Sequence, residues 1–308
     1  MTTSPSSLLV IGGGGFVGGA CVRHLVAAGH TVHVVEPQRR CTLPDGARWL
    51  PGDIEDAASL RKAIAAARPG AILNFAAFSA GPIGLARSGE ADPERALAVN
   101  LLGFRRLMEA AVEAGVPRLL WSSSTVAIGP VEKVGARVTE DVPCAPATTY
   151  GLTKHLAEQA ALFMRRVHGS DVTGIRLPLI FGPDLWYAGA AAALTRLVGA
   201  AAPGAAPEEA LPDTIFDAAH VDDVARLFAH LLRVNAPSPV YHLAGFTTSW
   251  AEIAATLAEL VPGYAPCVTP APGLVWPLVS QQRLEEDTGF ACAHDLRSTL
   301  RDMLEHRA

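Results

Sequence analysis

Lysine is scarce in this sequence: Lys62, Lys133 and Lys154 are the only lysines among 25 lysine and arginine residues. Positive charge is not in excess either, because the formal net charge is −5 and the isoelectric point is about 6.1. No run of basic residues occurs. These absences exclude the electrostatic signature of a nucleic-acid-binding or membrane-surface protein. We therefore expect a small-molecule partner, and neither nucleic acid nor a membrane.

Cysteine patterns are also absent. The five cysteines are scattered and show no CxxC spacing: Cys21, Cys41, Cys144, Cys267 and Cys292. An odd number without a pattern argues against a disulfide framework and a zinc site, and it favours free thiols in a reducing cytoplasm. The ten histidines show no metal-ligand spacing either, so no metal is expected.

Long apolar runs are missing as well. Gly, Arg or Pro interrupts each apolar stretch well before about 18 residues, so no membrane-spanning helix is expected. The first seven residues, MTTSPSS, lack a basic region, so no signal peptide is expected.

The sequence does contain a regular alternation of short apolar runs and amphipathic segments. The runs predicted to be buried strands are residues 8–12, 31–35, 71–77, 118–124 and 172–177. The segments predicted to be helices are residues 15–28, 56–68, 93–115 and 149–168. This alternation predicts an α/β fold, with a doubly wound parallel sheet and helices on both of its faces.

The pattern changes after Pro178. Residues 199–213 are rich in Ala, Pro and Gly, and we predict that they form a mobile loop. Residues 221–234 and 249–261 are predicted helices on either side of the apolar stretch 240–245.

A glycine-rich loop, IGGGGFVGG at residues 11–19, follows the first predicted strand and opens the first helix. Gly12, Gly15 and Gly18 have the spacing G-x-x-G-x-x-G. Such a loop lets backbone N–H groups approach a pyrophosphate at the positive end of a helix. The strand before it and the helix after it make a dinucleotide site the favoured interpretation over a flexible turn.

The end of the second predicted strand bears on the choice of cofactor. Glu36 stands there, and a carboxylate can accept hydrogen bonds from both ribose hydroxyls and repel a 2′-phosphate. This favours NAD. Arg39 and Arg40 leave NADP open, because arginine near this point can accommodate the 2′-phosphate.

Tyr150 and Lys154 stand four residues apart in the segment TTYGLTKH. On a helix these two positions lie on one face, one turn apart, so an ammonium can lie near a phenol. Lysine is a compact point charge and arginine a broad planar fork, so arginine does not replace lysine in a tight site. A Tyr and a Lys on a solvated helix face remain the alternative interpretation.

Together these motifs resemble the extended short-chain dehydrogenase/reductase family, also called the NAD-dependent epimerase/dehydratase family. The matching segments are GGGGFVG (12–18), GDIED (52–56), NFAA (74–77), VN (99–100), SSST (122–125), YGLTK (150–154), RLPLIFGP (176–183) and HVDDVA (220–225). Each is short, but their order and spacing make the combination specific, and the resemblance covers nearly the whole chain.

The resemblance implies a Rossmann domain and a smaller C-terminal substrate domain. The NAD-binding domain is predicted to comprise residues 1–177 with about 214–245, and the substrate domain about 178–213 with 246–308. A homodimer is implied through the helices near 93–115 and 149–168.

The resemblance also implies the roles of individual residues. Tyr150 is the expected general acid/base, Lys154 its activator, and Ser124 the donor to the substrate oxygen. The expected cofactor-binding residues are Gly12, Gly15, Phe16, Val17, Gly18, Glu36, Asp53, Ile54, Phe75, Ala76, Ala77, Asn100, Tyr150, Lys154 and Pro178. The expected substrate-binding residues are Phe78, Ser79, Ser124, Thr125, Leu179, Trp186 and Phe216.

The sequence departs from the family pattern where substrate is bound. Leu179 and Phe216 stand where many nucleotide-sugar enzymes have an asparagine and an arginine at the substrate phosphates. Losing an arginine–phosphate fork removes a strong charge-assisted contact. Thr125, Val126 and Ala127 replace the Thr-Asp-Glu stretch of the sugar-nucleotide dehydratases, so dehydration lacks its acid and base.

Three functions remain open at this point. The first is an NAD-dependent dehydrogenase or reductase acting on a small or partly apolar hydroxy or keto compound. The second is a nucleotide-sugar 4-epimerase. The third is a dinucleotide-sensing regulator without turnover, against which the intact Ser124, Tyr150 and Lys154 argue.

Overall fold

The fold is described from a computed structural model that covers residues 7–38, 43–81, 83–185, 189 and 191–307. The strands, in chain order, are β1 (Ser7–Ile11), β2 (Thr31–Glu36), β3 (Ala47–Pro51), β4 (Ala71–Asn74), β5 (Leu119–Ser124), β6 (Val172–Leu177), β7 (Leu179–Phe181), β8 (Glu208–Pro212), β9 (Ile215–His220), β10 (Val240–His242), β11 (Phe246–Ser249) and β12 (Cys267–Ala271).

The helices lie between these strands and after them. They are α1 (Phe16–Ala27), α2 (Ala57–Ala67), α3 (Leu85–Ala91), α4 (Pro93–Leu97), α5 (Phe104–Glu113), α6 (Thr149–His168), α7 (Ala192–Gly199), α8 (Val221–Leu231), α9 (Trp250–Leu260), α10 (Gln282–Thr288) and α11 (Leu296–Glu305). A π-helical segment, Ala98–Gly103, joins α4 to α5, and a short 3₁₀ turn, Thr125–Ala127, follows β5.

The main sheet has seven strands, all parallel, in the order β10-β6-β5-β4-β1-β2-β3. The order reverses between β1 and β4, and in a doubly wound sheet ligands bind at such a switch point, outside the carboxyl ends of the strands. The glycine loop follows β1 and the segment beginning at Phe75 follows β4, so both lie at this switch point. This confirms the predicted α/β fold with a parallel doubly wound sheet.

Burial explains why these short runs become strands. Leu8, Leu9 and Val10 of β1 and Ile72 and Leu73 of β4 are completely buried. Parallel strands covered by helices on both faces read as continuous apolar runs, which is what the sequence showed. One core lies on each side of the sheet, one against α1 and α8 and the other against α2, α5 and α6.

Two smaller sheets lie outside the main one. β7, β9 and β11 form a three-stranded sheet in the order β11-β9-β7, and β8 pairs in parallel with β12. β9 lies in the segment 214–245, which the domain prediction placed with the nucleotide-binding part. The division into domains stays a prediction.

The predicted loop at 199–213 is wrong in part. α7 ends at Gly199, and β8 lies within the segment, paired with β12 from Cys267 to Ala271. The partner strand follows about sixty residues later, so the local Ala and Pro content did not reveal the pairing. The Arg196 Nε atom also donates to the Glu209 carboxylate at 2.5 Å, which anchors the strand to α7.

The predicted helix over 93–115 is present but interrupted. Its middle, Ala98–Gly103, is π-helical. π-helical turns occur mostly as single insertions in α-helices and frequently at functional sites. Asn100, an expected cofactor residue, lies in this turn.

Candidate active site

The glycine loop makes close backbone contacts that only glycine permits. Gly12 has φ = +79°, and a Cβ there would lie 2.6 Å from the backbone nitrogen of Ala76. A Cβ on Gly18 would overlap the carbonyl oxygen of Gly12. Gly15 is exposed at the N-terminus of α1, where the helix dipole favours an anion. The loop therefore has the shape and the polarity that a dinucleotide pyrophosphate needs.

Glu36 lies against this loop. It is the last residue of β2, as expected, and its Oε1 atom accepts a hydrogen bond of 2.8 Å from the N–H of Gly14. The backbone carbonyl of Glu36 also accepts from the Trp49 indole at 3.2 Å. The first bond holds the carboxylate at the rim of the glycine loop, and the second holds the backbone at the end of β2. Arg39 and Arg40 lie outside the described residues.

A cavity of about 310 Å³ opens beside the loop. Its lining residues are Gly13, Gly14, Gly15, Phe16, Gly19, Val22, Arg23, Leu43, Pro44 and Asp184. Arg23 of α1 and Asp184, after β7, form an ion pair of 3.5 Å across it. Sequence reasoning missed both residues, because nothing local to either one indicates the other.

Asp53 and Ile54 follow β3. The Asp53 carboxylate accepts from the N–H of Glu55 at 3.0 Å, and its own N–H donates to Ser59 at 3.0 Å. Ile54 is buried, and a Cβ on Gly103 would lie 3.1 Å from it. The turn is thus fixed next to the π-helical segment.

The segment after β4 is held by two asparagines. The Asn74 side chain accepts from the N–H of Ala76 at 3.1 Å, and the Asn100 side chain accepts from the N–H of Phe78 at 2.7 Å. Asn100 also donates to Thr153 of α6 at 3.0 Å. Asn100 therefore ties the segment that contains Phe75, Ala76 and Ala77 to the helix of the tyrosine and lysine.

Ser124 and Thr125 lie where β5 ends. The hydroxyl of Ser124 accepts from the N–H of Val126 at 3.4 Å, and that of Thr125 donates to the carbonyl of Leu177 at 3.4 Å. The first turn of α6 packs directly on this turn, because a Cβ on Gly151 would lie 2.6 Å from the carbonyl oxygen of Val126. Tyr150, next to Gly151, is thereby placed beside the end of β5.

The start of α6 is well defined by its cap. Thr148 is the N-cap residue and accepts from the N–H of Gly151 at 3.0 Å, which stabilises a helix start. Glu90 of α3 accepts from the N–H of Thr149 at 2.6 Å. Tyr150 is half-buried in this turn.

Lys154 lies one turn further and is not on a solvated face. It is only 3% exposed, and its Nζ atom donates to the carbonyl oxygen of Ser122 at 2.7 Å. The same atom lies 5.6 Å from the centroids of the Tyr150 and Trp121 rings. Burial lowers the pKa of Lys154 from 10.5 to about 8, and the nearby Glu158 carboxylate opposes this shift. The alternative of a solvated Tyr and Lys is wrong for the lysine.

Beneath Lys154 lies a buried ion pair that sequence reasoning missed. Arg176 of β6 donates through Nε and Nη2 to the two carboxylate oxygens of Glu158, at 2.9 and 2.8 Å. Ser123 donates to the same carboxylate at 2.5 Å. A sequence signal existed, because Glu158 follows Lys154 by four residues on one helix face.

The same place contains three groups that could ligate a metal. Ligand atoms of Cys144, His155 and Glu158 lie within 4.8 Å of one another. The Arg176 guanidinium, however, contacts both Glu158 oxygens and, at 3.3 Å, the Cys144 sulfur, and its positive charge opposes a cation. The expected absence of a metal stays a prediction.

The expected substrate residues are only partly brought together. Pro178 and Leu179 follow β6 and are half-buried, and Ser79 is exposed. Phe216 packs on Phe181 and Trp250 in the core and is only 7% exposed, so little of it is left for a ligand. Trp186 lies outside the described residues.

Comparison with known proteins decides the family. A model of the NAD dependent epimerase/dehydratase family matches residues 8–245. The chain belongs to this family. This is the family that the sequence motifs indicated.

Among characterised relatives, a UDP-glucose 4-epimerase of Lactobacillus helveticus is 31% identical over 172 residues. The alignment covers 55% of this chain and 50% of the relative, so the chain spans about half the length of that enzyme.

Solved structures of two kinds of enzyme share the fold. An L-threonine dehydrogenase from Cupriavidus necator superposes with a TM-score of 0.87 at 22% identity, covering 97% of this chain and 99% of the other. A Thermus thermophilus UDP-glucose 4-epimerase in complex with NAD gives a TM-score of 0.83 at 25% identity, covering 97% of this chain and 98% of the other.

Within the described part of this chain, none of the helices has the length and the apolar character that crossing a bilayer requires.

Proposed function

We propose that this enzyme is an NAD-dependent oxidoreductase that moves a hydride between NAD and a secondary alcohol or ketone of a small or partly apolar substrate. The observation that carries the proposal is the buried Lys154 ammonium, 5.6 Å from the ring of Tyr150, at the end of β5 where Ser124 lies. This arrangement suits proton transfer at a substrate oxygen.

In the proposed reaction Tyr150 takes the hydroxyl proton of the alcohol, acting as the general base. Ser124 donates a hydrogen bond to the same substrate oxygen and holds it near the phenol, and Thr125 is the alternate hydroxyl. The bound cofactor supplies the hydride acceptor, C4 of its nicotinamide ring. In the reverse direction Tyr150 returns the proton to the carbonyl oxygen.

Lys154 makes this proton transfer feasible near neutral pH. An unperturbed tyrosine titrates near 10, so ionisation near pH 7 requires stabilising the phenolate by about 4 kcal/mol. An ammonium at short range supplies part of this, because an opposite charge favours the ionised form. Lys154 is also proposed to hold the nicotinamide ribose.

The residues fit NAD as the cofactor. The glycine loop and the N-terminus of α1 are proposed to hold the pyrophosphate, and Glu36 the adenine ribose. Glu36 is anchored on the Gly14 N–H at 2.8 Å, so its negative charge lies at the rim of the loop. This negative charge would repel the 2′-phosphate of NADP, which supports NAD as the cofactor.

The surroundings of Leu179 and Phe216 support a substrate without a diphosphate. Neither side chain can bind a phosphate. The guanidinium of the neighbouring Arg137 is already paired within the protein, because it lies 3.1 Å from the Asp217 carboxylate and donates to the carbonyl of Val279 at 2.7 Å. These contacts compete with binding of a phosphate by Arg137.

A nucleotide-sugar 4-epimerase is the second candidate, and the identity of 31% to a UDP-glucose 4-epimerase favours it. Calorimetry with UDP, UDP-glucose and UDP-galactose on the NAD-loaded protein separates the two. Two missing charged hydrogen bonds, at about 1.5–3 kcal/mol each, predict binding weaker by two to four powers of ten. Micromolar binding of any of the three would contradict the first proposal and support the epimerase.

The direct test is a screen of alcohols and ketones with NAD and NADP, read at the nicotinamide absorbance. We expect turnover that is lost in Tyr150→Phe while this variant still binds NAD. Cofactor that exchanges freely supports the dehydrogenase, and tightly retained cofactor supports the epimerase. Binding of NAD with no turnover of any alcohol, ketone or UDP-sugar supports the non-catalytic regulator.

A homodimer is proposed as the working assembly. Large apolar side chains on α6 and the π-helical segment are exposed, each by at least 39%: Leu102, Leu152, Leu162, Phe163 and Val167. Leu152, Phe163 and Val167 are spaced by 11 and 4 residues and share one helix face. A second copy of the chain would cover them.

A further inference from the structure

Tyr150, Lys154 and Glu158 form a row along one face of α6, at intervals of four residues. Lys154 and Glu158 are both removed from water, with 3% and 2% of their surface exposed. A buried ammonium without a counter-charge tends to lose its proton, because burial disfavours the charged form. The charges around this row therefore decide whether Lys154 can act on Tyr150.

We propose that Glu158 is a positioning residue for the Tyr150–Lys154 pair: its carboxylate, fixed by Arg176 and Ser123, keeps the Lys154 ammonium charged beside the phenol. The proposal rests on the proposed role of Lys154 as activator. It adds a residue that touches neither substrate nor cofactor and acts through the lysine.

The fixed geometry of the carboxylate supports this. Ser123 donates to Oε1 of Glu158 at 2.5 Å, while the carbonyl of the preceding residue, Ser122, accepts from Lys154 at 2.7 Å. Adjacent residues near the carboxyl end of β5 thus hold the Lys154 ammonium and the Glu158 carboxylate. The Arg176 fork fixes both carboxylate oxygens.

The other groups around this row do not replace Glu158. The titratable and charged groups packed against Glu158 and Arg176 come from α6, β6, β10 and the segment before α6: Lys154, His155, Arg176, His242, Glu140 and Cys144.

Of the two carboxylates in this set, both Glu158 and Glu140 act on Arg176, but only Glu158 acts on Lys154. Burial lowers the pKa of His242 to about 3, so this ring is neutral, and burial raises the pKa of Cys144. The Glu140 carboxylate accepts from the N–H of His242 at 2.9 Å and pairs with Arg283 at 3.5 Å. Among the described residues, Glu158 is therefore the carboxylate that both pairs with Arg176 and favours the charged form of Lys154.

The expected size of the effect follows from simple electrostatics. Side chains four residues apart on a helix lie about 6 Å from each other, and their charges then shift a pKa by about two pH units at an effective dielectric constant near 20 and by about one at a constant near 40. With a pKa of about 8, Lys154 is mostly charged at pH 7. A pKa of about 6–7 would leave only about a tenth to a half of it charged.

The test is a direct titration of Lys154 by NMR, which needs no substrate. The chain has only three lysines, so protein labelled with ¹³C at the lysine ε carbon gives three signals, and Lys154→Arg assigns one of them. The signals of Lys62 and Lys133 serve as internal references. We expect Glu158→Gln to lower the pKa of Lys154 by about one to two pH units.

The opposite result has a clear meaning. If Glu158 only anchors Arg176, its loss loosens the packing and admits water, and the pKa of Lys154 then rises toward 10.5. A rise, or no change, would overturn the proposal. The titration stands whether or not the proposed reaction is found, so failure of one is separate from failure of the other.

A second pair of variants guards against misfolding of Glu158→Gln. Glu158→Asp and Glu158→Asn shorten the side chain equally and differ only in charge. We expect the pKa of Lys154 to be lower in the Asn variant than in the Asp variant by about one pH unit or more. Equal pKa values in the two would reject the electrostatic role.

Discussion

Replacing Lys154 with methionine should change how the stability of the fold depends on pH. Methionine has a similar length, carries no charge and does not titrate. Lys154 is 3% exposed, and burial lowers its pKa from 10.5 to about 8. The wild type therefore carries a pH-dependent cost that the variant lacks.

The sign and size of this cost follow from proton linkage. Below pH 8 the folded protein must keep a proton on a buried group, and the full cost applies. Between pH 8 and 10.5 the unfolded chain binds more protons than the folded one, so the free energy of unfolding rises with pH. The difference between the two pKa values of Lys154, 10.5 and about 8, corresponds to about 3 kcal/mol in the free energy of unfolding.

The assay is equilibrium denaturation in urea at pH values from 7 to 10.5. We expect the wild type to gain up to about 3 kcal/mol relative to Lys154→Met across this range. Lys62→Met, at an exposed position of α2, is the matched control for replacing a lysine, and its curve is expected to follow the wild type. Parallel curves for wild type and Lys154→Met would refute a strained, buried ammonium.

Three further predictions follow from the same site and fold. Lys154→Arg should lower turnover by two powers of ten or more, about 3 kcal/mol, because the wide guanidinium cannot replace a compact ammonium beside Tyr150; steady-state kinetics near wild-type values would contradict its role. NAD should bind more tightly than NADP, and Glu36→Ala should remove this preference; calorimetry showing that the wild type prefers NADP would mean that the assignment of Glu36 is wrong. Phe163→Glu should convert a dimer into a monomer in light scattering, whereas Lys133→Glu, at another exposed position, should not.

Local pattern was sufficient to predict most of the nucleotide-binding fold. Short, continuous apolar runs predicted the parallel strands. The glycine spacing, with a strand before it and a helix after it, predicted the loop at residues 12–18. The end of β2 at Glu36 and the helix containing Tyr150 and Lys154 were also predicted. These features depend on residues close together in the chain, so periodicity and turn chemistry determine them.

Contacts between segments far apart in the chain determined the smaller sheets and the burial of one predicted substrate residue. β8 and β12 pair across about sixty residues, and composition alone indicated a loop there. Phe216 stays a predicted substrate residue, and only the fold showed that its ring packs on Trp250 and is 7% exposed.

The electrostatics of the site also depended on tertiary structure. The sequence placed Lys154 one turn from Tyr150, but only the fold showed that it is buried, and only the fold placed Arg176 of β6 on Glu158 of α6. Burial and ion pairing depend on which distant segments meet. For this reason the sequence by itself determined which groups could do the chemistry, and the tertiary structure decided which of them carry the charge that the chemistry needs.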